Sequence, residues 1–68
     1  MTTFAYFPIL ETSFIYARER AIEESLNHPD HFIYVFKSNS GGYVIDYQGI
    51  KHSDEHLIFT FKDGDKTL

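Results

Sequence analysis

The chain has 68 residues, enough for one small domain that buries only about 60% of the surface its unfolded form exposes. It contains no cysteine, which excludes disulfides, thiol chemistry and cysteine-based zinc sites. The net charge is −4 and the six Lys and Arg are scattered, which argues against binding driven by phosphate neutralisation. Seven Phe and five Tyr give a short chain a way to build a core from few residues. No stretch reaches the roughly 18 apolar residues of a membrane span, and the start of the chain has no signal-peptide pattern. With no cysteine, these features lead us to expect a cytoplasmic protein without a membrane partner.

Thr2 to Phe7 is rich in β-branched and aromatic residues and reads as a first strand, which Pro8 ends. Ile9 and Leu10 read as an apolar connector. Thr12 or Ser13 can cap a helix that runs to about Leu26. Phe14, Ala17, Ala21 and Ser25 fall on one stripe, flanked by Ile15, Ile22 and Leu26. Arg18, Glu19, Arg20, Glu23 and Glu24 fall on the other faces and read as solvated. Asn27 and Pro29 mark the stop.

Phe32 to Lys37 and Tyr43 to Gln48 are two β-prone runs around a Ser-Asn-Ser-Gly-Gly turn, the pattern of a hairpin. A turn centred between Ser40 and Gly41 places Phe32, Tyr34, Phe36, Tyr43, Ile45 and Tyr47 on one face. Ile33, Val35 and Val44 then fall on the other. Leu57 to Lys62 is a further strand whose Leu57, Phe59 and Phe61 join the aromatic face, with Ile58 opposite. Asp63 to Leu68 is polar and reads as a flexible tail.

The order predicts an α+β fold, a two-layer β-α-β-β-β arrangement with one helix packed on one face of a mostly antiparallel four-stranded sheet. Residues 1–62 form the domain and 63–68 the tail. The first strand should run parallel to the second through a right-handed crossover, with its neighbour left open. The aromatic face should be the covered one, because exposing its Phe side chains forfeits ~1.5–3 kcal/mol each.

Little in the chain points to chemistry. His28, His31, His52 and His56 lie beside acids and are the residues a metal would use, but the spacing of His52 and His56 aligns them only on a helix. No serine sits in a Gly-x-Ser-x-Gly elbow, so catalysis is not expected, and no cofactor is called for. Base stacking on strand aromatics needs an open aromatic face and a basic groove, which makes nucleic acid the weakest reading. The expected function is a non-catalytic protein-interaction module, acting by homodimer formation or by docking on a larger partner through a sheet face or edge strand. Its candidate surface is Ile33, Val35, Val44 and Ile58, an aliphatic patch on the face expected to be free of the helix. The Gly41-Gly42-Tyr43-Val44 segment is locally similar to hairpins of small antitoxin domains of the HicB type, in which the hairpin precedes the helix. That likeness implies no function.

Overall fold

A computed structural model describes residues 8–49 and 53–67. The elements are β1 (Ile9–Glu11), α1 (Phe14–Asn27), β2 (Ile33–Ser38), β3 (Tyr43–Asp46), β4 (Glu55–Lys62) and β5 (Asp65–Lys66). One helix covers one face of a five-stranded sheet ordered β1-β3-β2-β4-β5. Among the described residues every paired strand is antiparallel to its neighbour. The strand expected at Thr2 to Phe7 lies outside the described residues. Ile9–Glu11, read as a connector, is the edge strand beside β3. Because β3 opposes both neighbours, β1 and β2 run the same way with β3 between them.

The helix begins where the sequence places it. Ser13 is its extended N-cap (φ −112°, ψ 136°), and the Ser13 carbonyl accepts the Ala17 N–H at 2.9 Å. The Ser13 side chain makes no capping hydrogen bond. At the other end the His28 N–H donates to the Glu24 carbonyl at 2.9 Å, and Pro29 cannot continue the ladder. Of the stripe Phe14, Ala17, Ala21 and Ser25, the last three are buried, whereas Phe14 at the start of the helix is 42% exposed. Two small residues one turn apart let the helix axis approach the sheet closely.

Glu24 corrects the reading of a solvated charged face. It is buried, with Oε2 3.5 Å from Arg20 Nε and Oε1 3.6 Å from His28 Nε2. These residues lie at i, i+4 and i+8, so one carboxylate meets a cation a turn before it and an imidazole a turn after.

Which sheet face the helix covers depends on the length of one turn. The Ser38 N–H donates to the Gly42 carbonyl at 2.9 Å, and the Gly41 N–H donates to the Ser38 carbonyl at 3.0 Å. This closes a three-residue loop, Asn39-Ser40-Gly41, with Gly41 at φ +103°. The turn is thus centred on Ser40, and not between Ser40 and Gly41. That moves the register by one, and a shift of one moves all the side chains of β2 to the opposite face relative to those of β3. The observed pairs are therefore Val35 with Ile45 and Phe36 with Val44.

Consequently Ile33, Val35 and Ile45 lie under the helix with Ile9, Ala17, Ala21 and Phe61. Tyr43, Tyr47, Ile58 and Phe59 pack around that cluster. The expectation that the whole aromatic set faces inward is corrected: Phe32, Tyr34 and Phe36 lie on the helix-free face. The compact Ile33 and Val35 suit the space under Ala17 and Ala21 better than three rings would.

A bulge splits β4 in the same way. Val35 opposes Phe59, but Phe36 opposes Leu57, so Ile58 is the extra residue. Phe59 and Phe61 face the helix, whereas Leu57 is turned to the helix-free side.

The sheet also continues past residue 62, where the domain was expected to end. Asp63 (φ 51°) and Gly64 (φ 84°) form a two-residue turn with both φ positive, and Lys62 then pairs with Asp65. Ser25 ties this turn to the helix, because its Oγ accepts the Gly64 N–H at 2.9 Å and donates to the Ile22 carbonyl at 2.7 Å. Ser25→Ala is expected to lower stability by about 1–2 kcal/mol, because it leaves the Gly64 N–H without its acceptor. Thermal denaturation checks this, and an unchanged midpoint would show that the bond contributes nothing.

Candidate interaction surface

The candidate residues separate in the structure. Ile33 and Val35 are fully buried beneath α1, and no partner can reach them there. Ile58 is half-buried against the core as the bulge residue. Val44 is half-buried and lies on the helix-free face.

Val44 has in-register neighbours that sequence reasoning missed. Leu10 of β1 opposes Val44 of β3, Val44 opposes Phe36 of β2, and Phe36 opposes Leu57 of β4. Directly opposed residues share a face, so four adjacent strands each contribute one apolar side chain to a single row. The ends of the row are open: Leu10 is 72% exposed and Leu57 37%. The signal that could have found this row is Gly41 as the third loop residue. A glycine at that position suits a type I turn followed by a left-handed residue, the three-residue hairpin.

A second line crosses the row along β2. Phe32 and Tyr34 have centroids 6.4 Å apart, and Tyr34 stacks on Phe36 at 6.4 Å with an 18° tilt. Lys62 Nζ lies 5.8 Å from the Phe32 centroid and donates to the Pro29 carbonyl at 3.0 Å. Asp46, on the other side of Tyr34, accepts the Tyr47 N–H at 2.8 Å. The face thus has an apolar row, an aromatic ladder and few charges.

This ladder meets one of the two conditions for stacking nucleic-acid bases, since its rings are not under the helix. Within it Phe36 is 2% exposed and offers no ring face, whereas Phe32 is 43% exposed.

The histidines are dispersed among the described residues. His28 is buried beside Glu24, the His31 ring lies 6.1 Å from that of Tyr47, and His56 opposes Lys37 on β4. His52 lies outside the described residues. No three His, Asp or Glu side chains converge on a metal-sized space among the described residues. No helix among the described residues is long and apolar enough to cross a membrane. No family model, curated protein or solved structure matches the chain.

Proposed function

We propose that this protein is a small non-catalytic interaction module that self-associates through the helix-free face of its sheet. The observation that carries this reading is the row Leu10–Val44–Phe36–Leu57, in register across four strands and open at both ends. Two copies related by a two-fold axis would set the exposed ends of this row, Leu10 and Leu57, against those of the other copy, which makes the contact isologous; Phe36 at its centre is 2% exposed and already covered within one copy. Sheet faces pack at about 10 Å, and side chains of this size fill that gap. The charges directed to this side are Asp46, Glu55, Lys62 and Asp65, of which Lys62 and Asp65 oppose each other across the β4–β5 pair. An apolar centre with a polar rim is the usual anatomy of a homodimer contact. The lack of cysteine fits a reducing, cytoplasmic setting.

Sedimentation equilibrium over a concentration series tests the proposal. The 8.0 kDa chain is expected to approach twice its mass as concentration rises. Leu10→Asp combined with Leu57→Asp is expected to remain monomeric with an unchanged circular dichroism spectrum, since both side chains are exposed. A wild-type protein that stays monomeric, or a double variant that dimerises equally well, would show the reading to be wrong.

A further inference from the structure

The outer side of α1 carries a separate surface that does not depend on the sheet face. Tyr16 is 64% exposed and Leu26 56%, and with half-buried Ile22 they line a shallow groove along the helix that reaches β1. The walls of the groove carry the carboxylates Glu11, Glu19 and Glu23. Arg20 also lines it, but its guanidinium is already 3.5 Å from the buried Glu24. Among the described residues no ion pair engages Glu11, Glu19 or Glu23.

The ends of α1 carry no compensating charge. The first turn of α1 has no acid and the last turn has no base. Of the groove acids only Glu23 lies in the C-terminal half of α1, toward the negative end of the helix dipole, where an acid is unfavourable. Glu19 and Glu23 are four residues apart, a spacing at which like charges repel. A cation seated between them would relieve that repulsion. The apolar side chains of Tyr16, Ile22 and Leu26 would supply the desolvated contact beside it, and the Tyr16 ring can also receive a cation.

We propose that this groove docks a cationic amphipathic helix of a partner protein, with Lys or Arg in line with apolar side chains. The acidic walls repel nucleic acid and anionic lipid. A second copy of this chain has net charge −4 and no run of basic residues, so it does not fit either.

The test is an NMR titration of the isotope-labelled protein with a synthetic amphipathic helix of leucine and lysine, and with its leucine and glutamate counterpart. The lysine peptide is expected to shift amide resonances from Tyr16 to Leu26, and the glutamate peptide to shift none. Glu19→Lys with Glu23→Lys is expected to weaken binding by at least about tenfold, while Asp54→Lys with Asp65→Lys leaves it within about twofold. Both pairs are exposed and change the net charge equally, so the comparison isolates location from total charge. The proposal is overturned if the lysine peptide does not bind, if both charge reversals weaken binding equally, or if the shifts centre on the helix-free sheet face.

Discussion

Val35→Glu is expected to unfold the protein, while Val44→Glu leaves it folded. Both are valines, on neighbouring strands. Val35 is fully buried in the cluster under Ala17 and Ala21, with Ile45 and Phe59 opposite it. A glutamate there has no partner on the apolar sheet surface, and an uncompensated buried charge costs about 3–5 kcal/mol or more. At about 0.05–0.15 kcal/mol per residue, a chain of this length has only ~3–10 kcal/mol in total. Val44 lies on the opposite face between Leu10 and Phe36, where a glutamate can turn its carboxylate to water. Its loss is expected to stay near the ~1 kcal/mol of a cross-strand pair. Far-ultraviolet circular dichroism with urea titration separates the outcomes. Equal loss from both substitutions would contradict the face assignment.

The second contrast concerns two phenylalanines. Phe61→Ala is expected to cost about 3–5 kcal/mol, because the ring is buried in the core and its removal leaves a cavity that the surrounding strands cannot fully close. Phe32→Ala is expected to cost about 1 kcal/mol, since the ring is 43% exposed and gives up mainly its contacts with Tyr34 and Lys62. In a domain of this size each kcal/mol shifts the thermal midpoint by roughly 4–8 °C, so the two variants should separate clearly in one melting experiment. If the aromatic ladder of β2 instead faced the helix, the two losses would be similar.

These contrasts mark the limit of what the chain discloses without its fold. The helix was readable because its signals are local. Ser13, the Ala17–Ala21–Ser25 stripe and Pro29 each act within one or two turns, and the observed bounds Phe14–Asn27 follow. The hairpin was readable for the same reason. The β4–β5 turn was also present as Asp63-Gly64, a strong two-residue turn signal, but no β-prone run follows it. What holds β5 is its pairing with β4 and the Ser25 contact to Gly64, and those partners are distant in sequence. Burial of Glu24 was hidden because its sequence neighbours are charged; the environment that buries it forms only when the chain folds.

The candidate surface shows the same division. Its chemistry, apolar side chains on a helix-free sheet face, followed from one amphipathic helix and an alternating sheet. Its residues did not follow. Alternation alone points to Ile33 and Val35, which are buried, whereas Leu10 and Leu57 occupy the face. Strand side chains alternate with period two, so the face is set by whether a loop holds two residues or three, and by whether a strand contains a bulge. Composition and spacing in the Ser-Asn-Ser-Gly-Gly stretch allow either loop. The choice comes from how the whole sheet packs: the three-residue loop puts Ile33, Val35 and Ile45 beneath Ala17 and Ala21, and the Ile58 bulge keeps Phe59 and Phe61 with them. Local sequence thus specified the elements and their order. The tertiary structure chose the face each strand presents, because that choice is an energy shared among residues far apart in the chain.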